Sequence, residues 1–335
     1  MKSAISTGRY QWIDILKGIS IIAIMLMHYE NGIFSRYICY WIGMFMVASF
    51  YLISGWLMAS KEIDTWAIWW KKRKASLVMP YIYFSIIIIA FDILLCLLGE
   101  METKILFRDI YKTCILRGIG TLWFIPALIG GEAITRVLLS VKWDKKIFIV
   151  AGALLFGALY QYWCKNEPSG DIYRIIDAPF RTLSNINGAW SFIVLGFLLN
   201  KFAGKEILQY STLKKIVVAL FILAVFSIVI MWPSSSRSCG KYLVCIGMFI
   251  LCMGLDKLPG MGIWAYWGRN SLIIMVTHYS ILQVVCERIN YRIYGTPEMA
   301  GWAALIFFAV SLVLEIPVIF LINKFAPWLI GKKKC

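Results

Sequence analysis

The stretch YQWIDILKGISIIAIMLMHYE, residues 10–30, carries a lysine near one end of a mostly aliphatic run and a histidine near the other. Its length is close to the roughly 20 apolar residues with which a helix crosses a bilayer. Lys17 and His28 stand 11 positions apart. On an α-helix this spacing is three turns plus about 20°, so both side chains lie on one face, about 16 Å apart along the axis. The stretch predicts a membrane helix with a cation and an imidazole on the same face.

The composition of the whole chain is that of a multi-pass membrane protein. The 335 residues are 61% hydrophobic and only 16% charged, whereas a soluble domain carries about 25% charged residues. Apolar runs of sufficient length recur along the chain. We therefore predict an all-α bundle of about ten transmembrane helices, near residues 12–30, 38–59, 77–98, 121–140, 147–164, 189–203, 214–232, 241–256, 263–285 and 300–322.

Loop charge predicts the orientation of this bundle. Alternate loops, among them residues 61–74, 141–146 and 201–215, hold more Lys and Arg than the opposite set. Positive loops stay in the cytoplasm, which places both termini there. The same rule explains the net charge of +16 without a nucleic-acid partner. No stretch resembles a soluble domain, so residues 1–335 are predicted to form one membrane domain with nothing fused to it.

The second of the two histidines, His278, stands about fifteen residues into the predicted ninth span, at a depth similar to that of His28. Ionisable residues inside membranes are costly and commonly functional. Imidazole serves as a general acid, base or nucleophile near neutral pH, so both histidines are candidate catalytic residues. The alternative is a polar cap at a helix end. No third ligand at suitable spacing accompanies the histidines, so no metal site is predicted.

A set of basic residues is predicted near the cytoplasmic face, where it could bind an anion: Lys17, Lys72, Arg73, Arg136 and Arg269. Ordinary positive-inside charge is the alternative explanation for these residues. Within the predicted fourth span, Glu132 and Arg136 have i,i+4 spacing, which predicts a local ion pair. Glu315 is a further acidic residue inside a predicted span.

Five stretches spread along nearly the whole chain form a recognisable series: IDILKGISIIAIMLMH (13–28), MFMVASFYLISGWLM (44–58), KKRKASLVMPY (71–81), LWFIPALI (122–129) and GRNSLIIMVTH (268–278). In this order they resemble motifs of the acyltransferase-3 family of integral membrane O-acyltransferases. Lys17 stands where the family more often has arginine. The segment before Ser54 and Gly55 lacks the acidic residue of many members.

The resemblance implies transfer of an acetyl or other short acyl group from cytoplasmic acyl-CoA to a hydroxyl of a cell-envelope or extracellular carbohydrate, free or lipid-linked. It also implies residence in a bacterial plasma or inner membrane, with lipid as a partner; the oligomeric state stays open, a homo-oligomer included. The basic set would hold the phosphates of acetyl-CoA, and the pantetheine arm would run along the first helix to His28. His28 is expected to act as general base, or else as a transient acyl carrier, with His278 in second place. Trp123, Asn270 and Ser54 match family motifs and are expected to serve packing or pocket lining.

The competing interpretation is a transporter or flippase for a sugar or a lipid-linked glycan. Such proteins also have about ten spans and polar residues near the membrane midplane. They predict repeats with broken helices at matching positions in two halves, and no such symmetry is visible in this sequence.

Overall fold

The computed structural model describes residues 10–61, 64–165, 170–229, 237–296, 298–299 and 301–332. These residues contain helices and no strands, which confirms the all-α fold class. The α-helices, in chain order, are α1 Gln11–Tyr29, α2 Arg36–Phe45, α3 Ala48–Ala59, α4 Trp66–Arg73, α5 Met79–Leu97, α6 Thr103–Cys114, α7 Phe124–Ser140, α8 Trp143–Lys165, α9 Asp171–Gln209, α10 Thr212–Val229, α11 Arg237–Leu255, α12 Met261–Arg269, α13 Ser271–Thr277, α14 Val284–Tyr294 and α15 Trp302–Phe325.

Several of these helices are long and apolar enough to cross a membrane. Eight such stretches lie within the described residues, and a shorter apolar helix covers Gly240–Leu255. The multi-pass membrane architecture is therefore confirmed, whereas the count of about ten spans and the cytoplasmic termini stay predictions. The end of the predicted span 214–232 lies outside the described part of the chain.

Two segments of π-helix join neighbouring α-helices. Lys74–Val78 connects α4 to α5, and His278–Gln283 connects α13 to α14. A π-helical turn shifts the hydrogen-bonding register by one residue and often marks a functional site. Two of the predicted motifs therefore contain or end at an irregular helical turn: residues 71–81, called the basic segment below, and residues 268–278, which end at His278.

The helices group into two compact sets, which are described separately. The first comprises Met1–Phe50 and Phe202–Ser271, and the second comprises Tyr51–Lys201 and Leu272–Cys335. Within the first set, α1 packs most extensively on α12 and also contacts α2 and α11. In an apolar stretch of 18 residues of α1, 61% of the residues are buried. In the corresponding stretch of α8, which belongs to the second set, none is buried. Helix α1 is thus a core helix, whereas α8 leaves its predominantly apolar side chains exposed, as a lipid-facing helix does.

The contact of α1 with α12 depends on two glycines. A Cβ at Gly18 would lie 1.9 Å from the carbonyl oxygen of Trp264, and one at Gly268 would lie 1.7 Å from the carbonyl oxygen of Asp14. Two helix backbones can approach this closely only where neither residue has a side chain. The glycines therefore fix the position of α1 against α12.

The predicted ninth span, 263–285, is divided between two α-helices and a π-helical segment. Helix α12 ends at Arg269, and α13 begins at Ser271. The Asn270 side chain donates a hydrogen bond to the carbonyl of Tyr266 at 2.9 Å, and its backbone has left the α-helical region. Asn270 thus separates two helices, and His278 stands seven residues after the start of the second.

Candidate active site

Helix α1 keeps the geometry that its sequence predicts. It runs without interruption from Gln11 to Tyr29, so Lys17 and His28 share one face and stand about 16 Å apart along the axis. Both side chains are half-buried. His28 lies in the last turn of the helix. The face that bears the two residues is therefore partly open, although the opposite face is packed.

Arg269 belongs to the same set of helices as Lys17. In the contact described above, Gly18 and Gly268 meet backbone to backbone. Lys17 and Arg269 are the residues next to these glycines, so they lie at the same level of the α1–α12 pair. Arg269 is exposed in the last turn of α12. The structure thus brings two of the five predicted basic residues to one level.

The remaining three basic residues, Lys72, Arg73 and Arg136, lie in the second set, on α4 and α7. Arg73 forms a two-pronged ion pair with Glu132: its Nε donates to Oε2 at 2.5 Å and its Nη2 donates to Oε1 at 2.8 Å. The expected local pair between Glu132 and Arg136 is therefore wrong. The i,i+4 rule considers only neighbours on one helix, whereas the strongest partner of Glu132 comes from 59 positions earlier in the chain.

The Glu132 carboxylate receives two further hydrogen bonds. Ser54 Oγ donates to Oε1 at 2.5 Å, and Trp69 Nε1 donates to Oε2 at 3.2 Å. The side chain of Glu132 is only 1% exposed, whereas that of Arg73 is 32% exposed. Each carboxylate oxygen thus accepts one bond from Arg73 and one from another side chain, as a buried charge requires.

Arg136 is buried and lies against two aromatic rings. Its guanidinium carbon is 5.2 Å from the ring centroid of Trp66 and 5.4 Å from that of Trp69, within the range of cation–π attraction. It also donates to the backbone carbonyl of Asp64. Lys72 forms an ion pair with the Asp64 carboxylate at 2.7 Å, and this hydrogen bond lowers the pKa of Asp64. The basic segment is therefore tied down by specific contacts.

His278 lies in the second set, fully buried at the start of the second π-helical segment. Its Nδ1 is 2.5 Å from the backbone carbonyl oxygen of Ile274. Because a carbonyl oxygen can only accept, Nδ1 carries a proton, and in the neutral ring Nε2 carries the lone pair. The contact fixes both the tautomer and the orientation of the ring, which are the requirements for a general base or a hydrogen-bond acceptor.

The carbonyls just before this π-helical segment accept bonds from side chains. Thr277 Oγ1 donates to Ile273 at 2.8 Å, His278 bonds to Ile274, and the buried Thr121 donates to Met275. The 3-10 turn Gly120–Trp123, which opens the predicted LWFIP motif, contacts the π-helical segment. Two of the predicted motifs are therefore in contact through this turn, which contains Trp123.

Sequence reasoning missed two partnerships at this site. Glu315, fully buried on α15, has its carboxylate oxygens 2.8 and 3.0 Å from Thr277 Oγ1. Glu132 was considered only with its neighbour on the helix. In both cases the sequence shows a costly acidic residue inside a span, but the partner lies on a distant segment that no spacing rule connects. Within the described residues, no group of three or more His, Cys, Asp or Glu side chains is arranged to hold a metal ion.

Comparison with known families gives one match. The acyltransferase-3 family, described as "Acyltransferase domain", matches residues 10–323, nearly the whole chain. No curated protein and no solved structure matches. The match includes α1, the basic segment, His278, and the cluster that Glu132 forms with Ser54, Trp69 and Arg73, called the Glu132 cluster below.

Proposed function

Because the chain belongs to the acyltransferase-3 family, we propose that this membrane acyltransferase moves an acetyl or other short acyl group from cytoplasmic acetyl-CoA or a related acyl-CoA to a carbohydrate hydroxyl. The acceptor would be a cell-envelope or extracellular carbohydrate, free or lipid-linked, and the enzyme would reside in a bacterial plasma membrane. The observation that carries the proposal is helix α1, which holds a cation and an imidazole on one partly open face.

Lys17 would bind a phosphate of the donor. An ammonium group is a compact point charge that suits phosphate, although it lacks the two-pronged geometry of arginine. Arg269, at the same level of the α1–α12 pair, would add a guanidinium. The extended pantetheine arm would then follow the helix and bring the thioester to the level of His28, since its length is of the same order as the 16 Å rise.

His28 would act as general base on the acceptor hydroxyl. It removes the hydroxyl proton while the oxygen attacks the thioester carbonyl, and the CoA thiolate leaves when the tetrahedral intermediate collapses. The protonated imidazole can return its proton to that thiolate. His278, with its lone pair on Nε2, is the second candidate for a base or for a group that binds the acceptor.

The test compares His28→Ala with Met27→Ala in cells that lack the native gene. Met27 is a half-buried neighbour on α1, about 100° around the helix, so its truncation serves as a matched control. Mass spectrometry of the envelope glycans measures acyl groups on the carbohydrate, and immunoblotting measures the protein in the membrane. A positioned base is worth roughly 10²–10⁴ in rate, so His28→Ala should remove most of the acylation and Met27→Ala should retain it.

Variants of Lys17 test the donor role separately. We expect Lys17→Gln to raise the KM for acyl-CoA with a smaller effect on kcat, and Lys17→Arg to retain donor binding because it keeps the charge. Unchanged acylation in both the gene deletion and His28→Ala would contradict the proposal and favour transport of a glycan.

A further inference from the structure

We propose that Glu132 is a positioning residue that holds one edge of the Arg73 guanidinium so that the other edge can bind a phosphate of the acyl donor. This role rests on the proposed function, in which acyl-CoA is the donor, and on the prediction that Arg73 binds a phosphate of that donor.

The hydrogen-bond count of Arg73 supports this role. A guanidinium has five N–H groups in one plane. Glu132 accepts one from Nε and one from Nη2. No other hydrogen bond of the Arg73 side chain occurs among the described residues. The remaining N–H groups lie on the other edge of the fork, and that arrangement suits a second oxyanion such as a phosphate.

The two side chains of the ion pair differ in their exposure to solvent. Glu132 is almost fully enclosed, whereas about a third of the Arg73 side chain, 32%, is exposed. The guanidinium thus connects an interior carboxylate with the open surface of the basic segment. A ligand that approaches Arg73 from outside would meet donor groups already held in one plane, which lowers the entropy lost on binding.

Glu132 is itself held more firmly than charge compensation alone would require. Ser54 on α3 and Trp69 on α4 each donate to one of its oxygens, so residues of two helices besides its own fix the carboxylate. Because the Glu132 carboxylate is fixed, the Arg73 guanidinium that donates to it is held in place as well. Replacement of a residue that orients a ligand-binding group in this manner typically lowers the affinity for the ligand.

The charge around the pair favours an anionic ligand. The cluster contains three cations, Lys72, Arg73 and Arg136, and two carboxylates, Asp64 and Glu132. One positive charge is left uncompensated within this group, and the exposed Lys71 and Lys74 add to it. A cluster whose only task was to neutralise a buried glutamate would not need this excess.

The experiment measures CoA binding to the purified full-length protein in lipid nanodiscs by isothermal titration calorimetry. We expect Glu132→Gln to raise the Kd for CoA about tenfold. This is the lower end of the loss of affinity that is typical when a residue that orients a binding group is replaced. Glu132→Asp, which keeps the carboxylate, should raise the Kd less. The matched control is Asp177→Asn, because Asp177 is also a buried carboxylate paired with an arginine, Arg181, at 2.8 Å. It should lower the melting temperature without changing the Kd.

A double-mutant cycle distinguishes positioning from a general structural effect. If Glu132 acts through Arg73, Glu132→Gln should not raise the Kd further in an Arg73→Gln background. The double variant also removes both charges of the pair, so it is suited to folding even if Glu132→Gln alone is unstable. Equal Kd values for wild type and Glu132→Gln, or additive effects in the cycle, would overturn the role of Glu132. If the wild type did not bind CoA, the donor site of the proposed function would fail first.

Discussion

The contact between α1 and α12 makes Gly18→Ala a sharp test of the structure. A Cβ at this position would lie 1.9 Å from the carbonyl oxygen of Trp264, and real Cβ atoms essentially never come closer than 3.0 Å. The helices must therefore separate locally by at least about 1.1 Å, the difference between these two distances. The colliding atom of Trp264 is a backbone oxygen, and the position of a Cβ is set by its own backbone, so no side-chain rotation relieves the clash.

Overpacking of this kind destabilises a protein by about 1–3 kcal/mol. The effect on activity should be larger than the effect on stability. A shift of α1 moves Lys17 and His28 together, and a displacement of about 1 Å at a catalytic group can lower the rate about 10²-fold. We expect Gly18→Ala to fold with a reduced melting temperature and to lose most of its acyl transfer even when corrected for the amount of folded protein.

Gly43→Ala is the matched control. Gly43 lies in the interior of α2, in the same set of helices, and a Cβ there meets nothing within 4 Å. Replacing such a glycine within a helix stabilises by about 0.5–1 kcal/mol, so the two substitutions should change stability in opposite directions. Thermal unfolding of the detergent-purified proteins, followed by tryptophan fluorescence, measures both. If Gly18→Ala were as stable and as active as Gly43→Ala, the close contact of α1 with α12 would be wrong.

Further substitutions test three individual contacts of the second set. Thr121→Val should destabilise the protein by about 1–3 kcal/mol, because the carbonyl of Met275 loses its hydrogen-bond donor. Thr121→Ser should retain this hydrogen bond. Equal melting temperatures of the wild type and both variants would contradict the expectation. Arg136→Lys keeps the charge but loses the planar stacking on two tryptophans, and thermal unfolding should show a loss of about 0.5–2 kcal/mol. The Lys72 hydrogen bond lowers the pKa of Asp64, so its stabilising contribution is present above the unfolded-state pKa and is lost as the pH falls through the folded-state pKa. Melting curves of wild type and Lys72→Gln should therefore converge in acid, and a difference that grew in acid would refute this sign.

The geometry of α1 was predictable because it depends on one segment alone. An apolar run of this length and a spacing of 11 residues determine the helix and its shared face without reference to any other part of the chain. The extent of burial was not predictable, because a lipid-facing helix and a core helix of a membrane protein have nearly the same composition. The contact of Gly18 with α12 distinguishes them, and that partner lies some 250 positions away.

The Glu132 cluster shows why long-range pairing stayed beyond the sequence. The i,i+4 rule offered Arg136, and exposed pairs of this kind contribute only about 0.2–0.5 kcal/mol. Arg73 offers two charge-assisted hydrogen bonds to a carboxylate that cannot remain unpaired in the interior. The larger energy determines the partner, but the sequence cannot show which arginine the fold brings within reach.

The Ser54–Gly55 pair illustrates how a short motif can serve helix packing and a buried hydrogen bond together. A Cβ at Gly55 would lie 1.8 Å from the carbonyl oxygen of Ile193, so α3 meets α9 backbone to backbone at this residue. The adjacent Ser54 donates to Glu132, which in turn holds Arg73. Because successive residues of a helix point about 100° apart, one residue can fix the helix against its neighbour while the next reaches the cluster. A side chain at Gly55 would therefore displace Ser54 as well, and Gly55→Ala should weaken CoA binding more than Ser54→Ala, which removes a single hydrogen bond.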